Sequence, residues 1–346
     1  MELTTNQTNN TKGLAILMML CLHLFNRNYE GLFQPLIFVG VMPLSYYISL
    51  FCDCCVAIYC FCSGYGLYIG YTRAKENYAR KNYIRILKLF VNYWIVLLVF
   101  AVIFGLIVHK EGYPGNFQKF LLNFLALEST YNGAWWFFRI YIFLVLTSPL
   151  IFRMVQKWNP FIIIFLSLVF YSLAYIQRIK EPVIFGSVIP DWLISQLALY
   201  GNCFFPFMMG ALFIKYKVYP RFYTAVRKVR FYNVFLIVAI VLLVVGHGFV
   251  PMLYIAVFTG ILFIMFFNAL DLPIFLNKPL QFLSQHSTNF WLIHMFFYLI
   301  YFPTLIYAPQ NPTLIFLWLV LWCLAASYTI NFLYKPLLKS IDAKLN

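Results

Sequence analysis

Acidic side chains are scarce: 10 Asp and Glu stand against 25 Lys and Arg in 346 residues, and charged residues of both signs make up only 10% of the chain. Soluble domains carry about 25% charged residues, so composition excludes one. There is no 20–50-residue repeat, no low-complexity tract and no long linker. That excludes solenoid and linker-joined architectures. No small-x-small cleavage site follows the first apolar run, which leads into Asn26-Arg27-Asn28-Tyr29-Glu30, and Lys12 is the only cation of an n-region. The run reads as a retained helix rather than a secretory signal. Five cysteines (Cys52, Cys54, Cys55, Cys60 and Cys62) crowd one apolar segment. A cysteine run inside an apolar helix packs as small hydrophobic side chains, whereas zinc sites use turn-borne pairs with His or Cys partners. No metal is expected.

Hydrophobic residues fill the space that charge leaves, at 63% of the chain with a mean hydropathy of +0.82, including 26 Tyr and 39 Phe. The apolar runs predict an all-α, polytopic transmembrane helix bundle of about ten spans, near 12–29, 46–71, 84–108, 136–156, 160–177, 193–214, 231–247, 250–269, 287–307 and 312–336. A single membrane domain over 1–346, with its core at about 12–336, is the expected organisation. Leu32–Ser45 is apolar but broken by Pro35 and Pro43, so it forms an interfacial or re-entrant piece or a lower extension of the second helix. With the amino terminus inside, only Arg27, Lys110, Lys119, Arg139, Arg178 and Lys180 of the 25 basic residues fall outside. That asymmetry predicts two cytosolic termini. It also makes the net charge of +15 a topology signal and not a nucleic-acid footprint.

Within this frame Lys12 and His23 lie at the two ends of the run Gly13–Phe25. Eleven residues at ~100° return nearly to the same helix face, and at ~1.5 Å rise they span roughly 16 Å. One cation then sits at a membrane surface and one imidazole well inside, where an ionisable group faces a polar cavity rather than lipid. An imidazole there can take a proton from a hydroxyl during acyl transfer. Lys12 alone is equally an ordinary positive-inside anchor. Asp53, the one acid within a span, orients His23, balances a cation or is solvated near the outer interface. Ser63, Gly64 and Gly66 are small residues suited to close helix packing.

Arg73 to Lys88 holds six cations against Glu76. Lys81, Arg85 and Lys88 recur on one helix face, which suits anionic lipid or the phosphates of coenzyme A. Trp135 and Trp136 are interfacial anchors by default, and Arg139 lies a turn into the fourth span, where it needs an acid, a substrate oxygen or a snorkelling path. His294 is a second intramembrane imidazole that joins the His23 cavity or satisfies a backbone carbonyl. His109 and His247 fall at outer span ends, where they are solvated. The outer segment His109–Trp135 is a lid, an acceptor-binding loop or a plain surface loop.

Five motifs occur in order: Lys-x10-His ending at His23, Phe61-Cys-Ser-Gly-Tyr-Gly-Leu67, Arg80-Lys-Asn-Tyr-Ile-Arg85, Trp136-Phe-Phe-Arg-Ile-Tyr141 and Ser287-Thr-Asn-Phe-Trp-Leu-Ile-His294. Together the chain resembles the acyltransferase-3 family of integral-membrane acyltransferases. The resemblance implies a ten-helix core in a bacterial plasma membrane. It would carry acetyl from cytosolic acetyl-CoA to a hydroxyl of a surface polysaccharide or a lipid-linked glycan. The resemblance would make His23 the catalytic base, with Lys12 as motif partner, either deprotonating the acceptor hydroxyl or assisting a covalent acetyl intermediate; Asp53, from its place within a span, is grouped with them as a supporting acid. Lys12, Ser63, Arg80, Lys81 and Arg85 would lie on the donor side, Trp136 would face the acceptor, and Arg139 and His294 would contact the acceptor or the oxyanion. Lys88 departs from the pattern, since many members carry proline there. The periplasmic hydrolase-like domain of some members is also missing, so the acceptor falls to the core and its loops. The partners expected are acetyl-CoA, the glycan acceptor and the bilayer, and a homo-oligomer is compatible with them. The rival reading is a transporter or flippase for a glycan or lipid-linked sugar, with the intramembrane His, Arg and Asp lining a path.

Overall fold

The computed structural model describes residues 2–74, 76–250 and 252–345, apart from the side chains of Lys344 and Leu345. Lys75 and the side chain of Lys344, two of the cations assigned to the inner side, lie outside the described residues. The helices are, in order, α1 (Thr5–Phe25), α2 (Leu44–Phe51), α3 (Cys55–Arg73), α4 (Tyr78–Val96), α5 (Gly105–Ile107), α6 (Phe117–Phe124), α7 (Trp136–Lys157) and α8 (Pro160–Lys180). They continue with α9 (Val188–Lys215), α10 (Val218–Val226), α11 (Tyr232–Phe249), α12 (Leu253–Ala269), α13 (Ile274–Met295), α14 (Pro303–Tyr307) and α15 (Pro312–Leu345). Widened i→i+5 turns prolong α4 through Leu97–Phe104 and α13 through Phe296–Tyr301. The apolar segment with Pro35 and Pro43 does not extend the second helix. It forms an antiparallel pair, β1 (Phe38–Val39) on β2 (Met42–Pro43), and helix begins only at Leu44.

The chain is an all-α membrane protein. Seven helical stretches among the described residues are long and apolar enough to cross a bilayer: Leu44–Arg73, Tyr78–Ile107, Gly133–Lys157, Pro160–Lys180, Val188–Lys215, Tyr232–Phe249 and Pro312–Ala343. Leu253–Ala269 is a shorter apolar helix. The other two expected spans fall in α1 and α13, whose amino-terminal turns carry amides, hydroxyls and a lysine. Local signals set several boundaries well. The Asn159 side chain accepts from the Phe161 amide at 2.9 Å, and Pro160 occupies the first turn, where a missing N–H costs nothing.

The chain forms two compact units and passes between them within α1, α2, α4, α7 and α13. The first comprises Met1–Ala15, Phe51–Ala79 and Ile140–Gln281. Its backbones approach closely where side chains are absent. A Cβ on Gly64 of α3 would lie 1.9 Å from the Phe207 carbonyl oxygen of α9, and one on Gly210 of α9 would lie 2.2 Å from that of Phe61. Gly13 packs on Leu280 in the same way, at 2.0 Å. Gly66, expected to share this role, does not: it is exposed and a Cβ there would meet nothing within 4 Å. The polar start of α1 is helical well before residue 12 because its side chains are satisfied inside this unit. Gln7 donates to the Tyr219 hydroxyl at 3.1 Å and the Asn268 carbonyl at 2.8 Å, and Thr11 exchanges bonds with the Asn268 amide.

The second unit comprises Ile16–Leu50, Arg80–Arg139 and Phe282–Asn346. Here the outer segment is not a plain loop. It carries α6, capped by the Asn116 side chain, and is tied to α4 by Tyr93 donating to the Asn123 carbonyl and Trp94 to that of Phe124. The two widened segments meet: Tyr301 donates to the Phe100 carbonyl at 2.6 Å, and the Phe100 and Phe296 rings stack at 5.1 Å. Widened turns of this kind recur at functional sites, and here one begins two residues after His294.

Candidate active site

His23 lies in the last turn of α1, where carbonyls have no partner within the helix. Asn26-Arg27-Asn28 ends the helix, and Arg27 turns back to donate to the His23 carbonyl at 2.6 Å. A cation at that end also complements the helix dipole. Tyr307 donates to the next carbonyl, of Leu24, at 3.2 Å. The Arg27 guanidinium sits 5.0 Å over the Tyr298 ring. The His23 ring is 4.9 Å from that of His294, centroid to centroid, and 6.2 Å from that of Tyr298, while His294 and Tyr298 stack at 5.9 Å. Two histidines, a tyrosine and an arginine thus converge within the second unit.

The two imidazoles are not equivalent. His294 is fully buried, and its Nδ1 lies 3.1 Å from the Phe290 carbonyl and 2.9 Å from that of Trp291. Carbonyls only accept, so Nδ1 carries the proton and Nε2 presents a bare lone pair. Among the described residues no group meets that lone pair. The His23 ring is partly accessible and makes no hydrogen bond among the described residues. One imidazole is therefore held in a single tautomer with Nε2 unpaired, and the other is partly accessible and unbonded among the described residues.

The helix carrying His294 is held on either side. Asn132 and Trp135 donate to the Leu292 carbonyl at 3.0 and 2.9 Å, and Trp291 returns a bond to Ala134 at 2.9 Å. Trp135 is hence buried, not a lipid-interface anchor; Trp136 beside it is partly exposed. Two turns before His294, a second polar cluster crosses α4, α13 and α15. His286 pairs with Ser327 at 2.8 Å, Asn289 donates to Ser327 and Asn331, and Asn92 donates to Asn289 at 2.8 Å.

The other expected residues are distributed as follows. Arg139 is buried, and its guanidinium donates to the Ala126 and Leu127 carbonyls at 2.8 and 2.6 Å. Besides these loop carbonyls it has Glu128 as an electrostatic neighbour. Arg80, Lys81 and Arg85 are exposed along α4, with Arg85 donating to Asn82 at 2.6 Å. Lys88, the third member of that basic face, is ion-paired with Asp342. Lys12, Asp53 and Ser63 belong to the first unit and His23 to the second. Lys12 and Ser63 are partly buried, the Lys12 carbonyl accepts from Tyr59 at 3.0 Å, and Asp53 has Arg178 as its electrostatic neighbour. His109 is exposed as expected, but His247 is buried, with Nδ1 3.3 Å from the Thr259 hydroxyl and the Phe51 ring at 6.0 Å. Reading the sequence missed Arg27 and Tyr298. The available signal was spacing, since each lies four residues beyond a histidine and so one helical turn away.

A family model, that of the acyltransferase domain (Acyl_transf_3), matches residues 7–332. No curated protein and no solved structure matches the chain. The match includes the end of α1 with His23 and Arg27 and the stretch of α13 with His294 and Tyr298. With nearly the whole chain covered by that model, and a bundle of helices long and apolar enough to cross a membrane, the protein belongs to the acyltransferase-3 family of membrane acyltransferases.

Proposed function

We propose that this acyltransferase carries acetyl from cytosolic acetyl-CoA to a hydroxyl of a surface polysaccharide or lipid-linked glycan, in a bacterial plasma membrane, with about ten spans and both termini in the cytosol. The observation that supports it best is the His23–His294 pair, with one ring accessible and one held as an acceptor. In this reading His23 takes the proton of the acceptor hydroxyl as its oxygen attacks the thioester carbonyl. The C–O bond forms, the C–S bond breaks, and the imidazolium returns the proton to the departing thiolate. His294 Nε2 accepts a hydrogen bond from a neighbouring hydroxyl of the glycan and so orients the one that attacks. Arg80, Lys81 and Arg85 supply exposed cations for the donor's phosphates, with Lys12 and Ser63 as further donor contacts. Trp136 flanks the acceptor and Asp53 serves as a supporting acid. Arg139 serves by holding the Ala126–Leu127 turn in place.

The test is transfer by purified protein from acetyl-CoA to a glycan hydroxyl, read by mass. Wild-type turnover that falls by roughly 10²–10⁴-fold in His23→Ala, at equal expression, is the expected result. Full activity in that variant would refute the base.

A further inference from the structure

The first unit contains a cleft of about 560 Å³ beneath the start of α1, walled by the α12–α13 connection and the first turns of α13. That volume suits a small molecule. Its polar lining is dominated by side-chain amides: Asn6, Asn10, Asn268, Asn277 and Gln281, with Lys278 as its ammonium. The back wall is interlocked. Asn10 donates to Asn277 at 2.5 Å, Asn277 to the Leu272 carbonyl at 2.7 Å and Asn268 to Thr11 at 2.9 Å. One acceptor is left over: Asn10 is only 4% exposed, yet its Oδ1 has no hydrogen-bond partner. Toward the mouth, the side chains of Asn6 and Gln281 make no hydrogen bond among the described residues. An orphan buried acceptor costs free energy unless a ligand or water donates to it.

The lining narrows the ligand. A divalent cation calls for several carboxylates, and the cleft has Asp271 alone, already tied to Arg227 and Tyr232. Inorganic phosphate is chiefly an acceptor and so does not match the orphan Asn10 Oδ1, which needs a donor. Neutral amides offering donors and acceptors together match the edge of a purine, which Asn and Gln read through paired bonds. Leu272, Ile274 and Phe267 add apolar surface for its faces. Lys278 is exposed at the rim, where a phosphate would project.

We infer that this cleft binds the adenine nucleotide end of the acyl donor, with Asn10 Oδ1 accepting from the purine amine, Gln281 contacting its edge and Lys278 pairing with a phosphate. The inference rests on coenzyme A being the donor. It moves the nucleotide contact from the basic face of α4 to the start of α1 and α13.

Two measurements test it, after turnover of acetyl-CoA by the wild-type protein has been checked. A protein that does not use acetyl-CoA overturns the proposed function, and this inference with it. Where turnover is present, a coenzyme A analogue bearing an azide on the purine is photolysed on the wild-type protein, with and without excess acetyl-CoA. Label that acetyl-CoA displaces, mapped to residues 2–11 or 267–281, is the expected result. Displaceable label on 78–96, label elsewhere or no displaceable label overturns the inference while leaving the acyltransferase reading intact. The second measurement is the ratio of kcat/KM for acetyl-CoA to that for S-acetylpantetheine, which lacks the nucleotide. Gln281→Leu and the exposed Lys278→Gln each lower that ratio about tenfold, the size expected for one lost polar contact. Adenosine 3′,5′-bisphosphate inhibits the wild type more strongly than either variant, and ATP does not reproduce its potency. A ratio unchanged in both variants overturns the inference.

Discussion

Replacing Gly64 with alanine tests the α3–α9 crossing that carries the Phe61–Leu67 motif. The added Cβ would lie 1.9 Å from the Phe207 carbonyl oxygen, a backbone atom of a helix that cannot swing aside as a side chain would. Ordinary contact is restored only if the helices part by more than about 1 Å, which forfeits about half or more of the dispersion at the neighbouring contacts. Overpacking of this kind costs about 1–3 kcal/mol. Alanine regains about 0.5–1 kcal/mol of helix propensity, leaving a net loss of up to about 2.5 kcal/mol, toward the upper end for so short an approach to a backbone atom. The reciprocal Gly210→Ala, with its Cβ 2.2 Å from the Phe61 carbonyl oxygen, demands the same separation. Once the helices have parted for one methyl, the second is partly accommodated. The double variant should therefore lose clearly less than the sum of the two singles, a coupling of about 0.5 kcal/mol or more. Gly66→Ala is the control with the opposite sign, because its Cβ meets nothing and only the propensity gain of about 0.5–1 kcal/mol remains. Thermal unfolding in detergent, followed by tryptophan fluorescence, reads all four proteins. Gly64→Ala and Gly210→Ala should melt a few degrees lower and Gly66→Ala slightly higher. Additive losses, or three variants shifting the same way, would refute the argument.

Two further outcomes follow from the structure. Arg27→Ala removes both the bond to the His23 carbonyl and the cation over Tyr298, so acyl transfer should fall by about 10–100-fold in kcat, with partial recovery in Arg27→Lys, which keeps the charge without the fork; undiminished kcat in both variants would show that Arg27 only caps α1. Bonds from Arg227 and then Tyr232 hold the Asp271 carboxyl below its usual range, so its stabilisation is present above the unfolded carboxylate value of about 4 and disappears as pH falls through the depressed folded value. The pair is largely exposed, so Asp271→Asn should lower the melting point slightly at pH 7 and by progressively less as pH falls below about 4, consistent with under about 1 kcal/mol; a difference that does not shrink with falling pH would contradict this linkage.

What the sequence by itself determined was local in origin. Apolar runs longer than a bilayer specified a membrane helix bundle, and Asn159-Pro160 marked a helix start to the residue, since capping needs only neighbours in the chain. The eleven-residue spacing of Lys12 and His23 placed both on one face of α1 for the same reason. What only the tertiary structure decided was which faces meet. His23 and His294 are 4.9 Å apart in space but far apart in the chain, and no periodicity specifies that pairing. Gly64 and Gly66 read alike in sequence, yet one lies against a carbonyl oxygen and the other faces open space. Arg139 is a costly charge on paper, and its cost is offset by two carbonyls of a turn that sequence could not place beside it. The polar start of α1 became helix because distant amides satisfied its side chains. In each case free energy depends on partners brought together by folding, which local propensity cannot encode.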